Sequence, residues 1–276
     1  MDIRIGDRAA NLSTMHKHLV ATTAAGAALT VFPECTTTGY CFDSREEAAE
    51  FAETSEGETV QAVAEMCADL NTWVVFGFLE RDGDRIFNAL ALVGPRGRIA
   101  GYRKIHLPFL GVDRFTTPGD CPFQTVESAE LPLRIGMNIC YDISFPESAR
   151  VLALAGADLI VLPTNWPPGA GLTADVMPNA RALENHVYFM SVNRIGTERG
   201  IPFVGKSKIC DPRGNNLAFA DHDQEAIIYA DIDPAYARQK HLVNIPNVHE
   251  VHRINDRRPD MYGPISVDQP QAEVET

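Results

Sequence analysis

Gly26-Ala27-Ala28-Leu29-Thr30-Val31-Phe32-Pro33 recurs later in the chain as Gly156-Ala157-Asp158-Leu159-Ile160-Val161-Leu162-Pro163. Each copy opens on a glycine where a helical pattern stops. It then runs through an apolar stretch of strand length and closes on a proline, which cannot donate to a sheet ladder. A second pair repeats in the same order. Gly94-Pro95-Arg96-Gly97 and Asp211-Pro212-Arg213-Gly214 each sit between two strand-like arms and read as hairpin turns. A helix, a buried strand ending in proline and a hairpin therefore occur twice. Two such halves predict an α/β fold of two mixed sheets packed face to face with helices outside, a four-layer α-β-β-α sandwich with internal pseudo-symmetry.

The rest of the pattern fills in this frame. Residues 11–25 carry Leu12, Met15, Leu19 and Val20 at helical spacing, and residues 58–70 place Val60, Val63, Cys67 and Leu70 on one face. Ser44 with Glu47 three positions on reads as a capping box opening a short helix. Residues 72–79 are strand-like. One domain is expected over residues 1–266, followed by an acidic flexible tail over 267–276.

Composition narrows the function classes. The chain has 276 residues and a formal net charge of −13, so its surface repels phosphate backbones and no nucleic-acid partner is expected. Charges at Asp2, Arg4, Asp7 and Arg8 stand where a secretory leader would need an apolar block. The longest apolar run, residues 151–162, is too short to span a bilayer and contains Asp158, so no membrane association is expected. The six cysteines form no C-x-x-C pair and have no zinc-ligand spacing. That pattern points to reduced thiols in the cytoplasm, with no metal and no cofactor.

Three segments place a reactive side chain just beyond an apolar strand, where α/β proteins build their sites. Glu34 follows Val31-Phe32-Pro33 and should emerge in a poorly solvated place, which raises its pKa and suits it to proton transfer. Lys104 ends the second arm of the first hairpin, where a fixed cation can stabilise an oxyanion and a thiolate. The neighbouring His106 is expected to order its loop. Residues 133–140 run as a strand into Cys140, and Pro146 opens the next helix. Such a corner holds a nucleophile beside backbone N–H groups. Cys67, on an apolar helix face, is by contrast an ordinary core cysteine.

Pro33-Glu34 with Thr38-Gly39-Tyr40, then Tyr102-Arg103-Lys104-Ile105-His106-Leu107, then Cys140-Tyr141-Asp142 with Phe145-Pro146-Glu147 stand in this order along the chain. Together with Thr117-Pro118-Gly119-Asp120, Asn193-Arg194-Ile195-Gly196 and Gly205-Lys206-Ser207, they resemble the nitrilase superfamily of carbon–nitrogen hydrolases over nearly the whole length. The resemblance implies the sandwich inferred above and a Glu34–Lys104–Cys140 triad. It also implies acyl transfer through a cysteine thioester, with the backbone N–H of Tyr141 assisting Lys104 at the oxyanion, on a small amide or carbamoyl amine. A homodimer or higher homo-oligomer is expected. Asn165 and Trp166, which come directly after the second copy of the repeat and Thr164, are expected to line the substrate pocket. Arg181 and Glu184 are expected to brace a helix.

Two departures from the family pattern carry expectations of their own. Members usually begin with a strand of the type KVAVVQ, and Asp2-Ile3-Arg4-Ile5-Gly6-Asp7 corresponds to the loop on the C-terminal side of that strand. One sheet should therefore lack an inner strand, leaving an apolar groove or an open edge beside residues 29–32. The family also usually has a second glutamate between the lysine and the Pro-Gly motif. Here Asp113, one methylene shorter, is the nearest carboxylate. Three alternatives stand beside the amidase reading: a nitrilase acting through a thioimidate, a metal-dependent hydrolase using His249-Glu250-Val251-His252, and a non-catalytic scaffold of the same fold.

Overall fold

The computed structural model describes residues 1–267. The chain divides into two compact units, Met1–Arg238 and Gln239–Thr276. The boundary expected at residue 266 falls inside the second unit, and the division lies instead between Arg238 and Gln239. Nearly all of the expected tail lies outside the described residues.

The first unit contains helices α1 (Arg8–Ala24), α2 (Arg45–Phe51), α3 (Glu58–Leu70), α4 (Pro146–Leu154), α5 (Gly171–Asn185) and α6 (Pro234–Arg238). Its strands are β1 (Leu29–Val31), β2 (Trp73–Asp82), β3 (Arg85–Gly94), β4 (Gly97–Arg103), β5 (Thr125–Ser128), β6 (Leu131–Met137), β7 (Leu159–Thr164) and β8 (Tyr188–Asn193). Four short strands complete it: β9 (Thr197–Glu198), β10 (Ile201–Pro202), β11 (Lys208–Cys210) and β12 (Asn216–Phe219). One sheet has the order β1-β2-β3-β4 and the other β12-β11-β8-β7-β6-β5. Both are mixed: β1 runs parallel to β2, and β6, β7 and β8 run parallel, while the hairpin arms are antiparallel.

Side-chain alternation along β2 makes the layers. Trp73 and Val75 join Leu90 and Leu92 in packing against Ile135, Val161 and Phe189 of the second sheet. The intervening Val74, Phe76 and Phe78 pack with Met15, Leu19, Val60, Val63 and Cys67 of α1 and α3. With both faces covered, β2 has to be apolar throughout rather than alternating, as its sequence is. The expected capping box at Ser44 forms in part, with the reach-back made to the residue before the N-cap. Ser44 Oγ accepts from the Glu47 N–H at 3.1 Å, and the Glu47 carboxylate reaches back to the Asp43 N–H at 2.9 Å.

The pseudo-symmetry is visible in the strand order. β1-β2-β3-β4 of the first half matches β7-β8-β11-β12 of the second. In the second half β6 continues the sheet beyond β7. On the corresponding side of β1 there is no strand among the described residues, and Asp2 makes only an isolated bridge with Ile195. A groove of about 650 Å³ lies there, walled by Leu29, Val31, Leu133, Met190, Val192 and Ile228. Among the described residues, this side of β1 is an unpaired edge.

The second unit contains a hairpin, β13 (His241–Ile245) with β14 (His249–His252). His252 pairs across from His241, and the His241 ring meets Glu250 at 2.9 Å. Because successive strand residues face opposite sides, His249 points away from Glu250 and His252. Among the described residues, no three His, Cys, Asp or Glu side chains converge as a metal site, and no helix is long and apolar enough to cross a membrane.

Candidate active site

The three strand ends named from sequence come together. β1 delivers Glu34, which is fully buried. The close approach of its backbone to β2 requires a glycine: a Cβ on Gly77 would stand 2.3 Å from the Cys35 nitrogen. β4 delivers Lys104, also fully buried. The pleat separates it from its neighbour, with Arg103 turning out to Glu80 and Asp120 while Lys104 turns in. β6 delivers Cys140, the first residue of a 3-10 turn (Cys140–Ser144) leading to Pro146 at the start of α4. Cys140 has φ +43°, a strained value for a cysteine, and the kind of strain that gathers at nucleophile corners.

Lys104 Nζ donates to Glu34 Oε1 at 2.7 Å and to Asp113 Oδ2 at 2.5 Å. Asn88, on β3, ties the two carboxylates together by donating to Glu34 Oε1 at 2.7 Å and Asp113 Oδ1 at 2.8 Å. The carboxylate one methylene shorter than the family's usual glutamate therefore does reach the lysine. Burial works against the charge on Lys104, but Asp113 and then Glu34 outweigh it and hold its pKa well above the ordinary 10.5. Burial raises Glu34, with Lys104 opposing and Asp113 adding to the rise. The Cys140 thiol is pushed up to about 12 by burial and by Glu34, while Lys104, the Thr164 hydroxyl and the Asn165 backbone N–H act the other way. A thiol in this setting rests protonated and needs a base beside it to become a nucleophile.

A second set of contacts locks the elbow to the lysine loop. Asp142 accepts from the Tyr102 hydroxyl at 2.7 Å, the Ile139 N–H at 2.9 Å and His106 Nδ1 at 2.7 Å. The His106 ring stacks on Phe145 at 3.7 Å, so it orders the loop as expected. Arg181 donates to the Ile143 carbonyl and pairs with Glu184, a brace on the same turn.

Asn165 and Trp166 are both buried. The Asn165 amide donates to the Glu34 carbonyl oxygen at 3.1 Å, strapping one half of the fold to the other. The Trp166 N–H donates to Asn193 Oδ1, and its ring lies in the inter-sheet core cluster that includes Cys140. Tyr141 comes directly after Cys140, with its ring partly exposed and set edge-on to Phe145. Reading the sequence missed Asn88, and quoted Tyr40 and Asp142 within motifs without giving either a role. The signal for Asn88 was its position, a lone amide inside the apolar run Ile86–Val93 of β3.

The model of the family described as carbon–nitrogen hydrolase matches residues 1–241. The chain belongs to this family. Among relatives of this carbon–nitrogen hydrolase, a protein named nitrilase from Pyrococcus abyssi is 39% identical over 256 residues, 91% of this chain and 92% of its own length. An (R)-stereoselective amidase from a Pseudomonas species is 34% identical, covering 86% of this chain and 85% of its own length. The Homo sapiens omega-amidase is 31% identical, covering 75% and 77% respectively. In fold, this carbon–nitrogen hydrolase is similar to the Saccharomyces cerevisiae nitrilase-superfamily protein Nit3. That match has a TM-score of 0.76 and 25% identity, and covers 86% of this chain and 89% of the other. The amidase from Nesterenkonia sp. has the same fold, with a TM-score of 0.74 and 22% identity over 86% of this chain and 89% of its own.

Proposed function

We propose that this carbon–nitrogen hydrolase is an amidase that cleaves a small amide or carbamoyl amine through a thioester on Cys140. The observation that carries the reading is the buried Glu34–Lys104 contact of 2.7 Å, two groups that both act electrostatically on the Cys140 thiol. Glu34 takes the thiol proton as sulfur bonds to the substrate carbonyl carbon, and the carbonyl oxygen becomes an anion. Lys104 and the backbone N–H of Tyr141 hold that oxyanion. Glu34 returns the proton to the leaving nitrogen, the C–N bond breaks, and ammonia or an amine departs from the thioester. A water molecule, deprotonated by Glu34, attacks the same carbon. The C–S bond then breaks to give the acid, and the thiol recovers its proton. Glu34 Oε2 has no hydrogen-bond partner among the described residues, which leaves a carboxylate oxygen available for these transfers.

Two further observations support the wider reading. α4 and α5 pack together and expose Val151, Leu154, Leu172, Val176 and Leu183, a set of apolar side chains suited to a homodimer contact. All six cysteines are free thiols, as suits a reducing cytoplasm. The deciding experiment is an ammonia-release screen over short aliphatic amides, carbamoyl amines and nitriles, with Cys140→Ala as the blank. Release from amides or carbamoyl amines, abolished in the blank, is expected. Release from nitriles alone overturns the amidase assignment, and release that survives Cys140→Ala overturns the nucleophile.

A further inference from the structure

Tyr40 stands at the far side of the carboxylate–lysine cluster, and the mechanism above gives it no part. Its hydroxyl donates to Asp113 Oδ2 at 2.8 Å, the same oxygen that takes the Lys104 ammonium, and it also lies 3.0 Å from the Leu110 carbonyl. The ring is fixed in place. Gly111 lies flat against it, since a Cβ there would come within 2.3 Å of the ring. The Tyr40 backbone is fixed as well. Glu198 Oε2 accepts its N–H at 2.8 Å and that of Cys41 at 2.6 Å. Glu198 is in turn held by the buried Arg194, whose Nη1 reaches it at 2.6 Å and whose Nη2 donates to the Ile3 carbonyl at 2.6 Å.

We propose that Tyr40 is a positioning residue, whose hydroxyl holds the short Asp113 carboxylate against Lys104 and so keeps the ammonium aligned with Glu34 and Cys140. This rests on the assignment of Glu34, Lys104 and Cys140 made under the proposed function. Asp113 is reached by two donors besides Lys104, Asn88 on one oxygen and Tyr40 on the other. With a side chain one methylene shorter than glutamate, it has little slack to follow a lysine that drifts. Burial, then the Asp113 and Glu34 carboxylates, hold the Tyr40 phenol well above its usual value, so it stays a donor at every working pH. Without its hydrogen bond, the short Asp113 carboxylate can turn away from Lys104. The ammonium then drifts from Glu34, and its lowering effect on the buried Glu34 carboxyl weakens. The titratable groups facing this carboxylate are Lys104 from β4, Glu34 and Cys35 from the end of β1, and Tyr40 itself, with Cys140 acting on Lys104 and Tyr40.

The test is the pH dependence of Cys140 alkylation by iodoacetamide, read by peptide mass spectrometry. The exposed Cys121 serves as the internal control. Wild type, Tyr40→Phe, Asp113→Asn and the double variant are compared, each with its melting temperature. Tyr40→Phe should move the acid limb of Cys140 labelling up by about one pH unit, and the limb belongs to the coupled cluster. Cys121 labelling should not move. In the Asp113→Asn background the Tyr40→Phe shift should vanish. A purely structural role would lower the melting temperature and leave the limb where it is. An unshifted limb in Tyr40→Phe, or the same shift with Asp113→Asn, overturns the role of Tyr40 alone. A wild-type Cys140 profile that tracks Cys121 at every pH overturns the assignment of Glu34 and Lys104, and the role of Tyr40 with it.

Discussion

Lys104 Nζ lies 2.5 Å from Asp113 Oδ2, and neither side chain is exposed to solvent. A lone buried lysine sheds its proton, whereas two carboxylates at this range keep it charged. Removing the lysine strands two buried carboxylates, and removing one carboxylate leaves the lysine with the other.

Lys104→Ala should lower turnover by about two to three orders of magnitude, the range for a lost oxyanion donor. It should also cost about 3–5 kcal/mol of stability, as breaking a buried ion pair does. Lys104→Arg should not restore activity, because a planar fork cannot replace a compact ammonium between Glu34 and Asp113. Steady-state rates on the best amide of the screen, with urea titrations alongside, check both effects. An active Lys104→Arg variant would count against the point-charge role.

Cys140→Ala should abolish turnover with little change in melting temperature, since it removes a single sulfur atom from a residue that keeps some solvent contact, 6% exposed. Cys67→Ala should do the reverse. Cys67 is fully buried between α3 and the first sheet, so its truncation should cost about 1 kcal/mol or more and leave the rate alone. Comparing rate and melting temperature for the two variants separates a nucleophile from a core thiol.

The pH profile should be one-sided near neutrality. In the proposed mechanism Glu34 works as a base only when ionised, and burial raises it above its ordinary 4.5. The rate should therefore fall with decreasing pH at a midpoint above 4.5. Lys104, raised above 10.5, should stay charged through the alkaline range up to that value. Its contribution to stability should be fully present below 10.5 and be lost as pH rises through the higher folded-state value. Rate profiles, and thermal melts on either side of 10.5, test the two limbs. An acid midpoint at or below 4.5 would refute a buried base.

Much of this was legible in the sequence because each reactive residue ends a strand that periodicity marks. The repeat 26–33 and 156–163 gave the two halves, and the Pro-Arg-Gly turns gave the hairpins. Which side chains meet across strands could not be read. Asn88 bridges Glu34 and Asp113 only because β3 lies between β2 and β4. Tyr40 meets Asp113 through a loop whose path no local pattern encodes. Asn165 proved to strap the Glu34 carbonyl, a contact between the two halves that depends on how the sheets face each other.

The open edge of β1 makes the two halves unequal in a way that reaches the chemistry. β7 is gripped by β6 on one side and β8 on the other, whereas among the described residues β1 is paired with β2 alone. Glu34 rides on β1, and Cys140 rides on the turn that β6 feeds. A strand held on one side opens at lower free energy than its flanked twin. The amides of Thr30 and Phe32 should therefore exchange with deuterium faster than those of Ile160 and Leu162. Mild denaturant should release Glu34 before Cys140, so that on the proposed mechanism activity disappears while the second sheet is still intact.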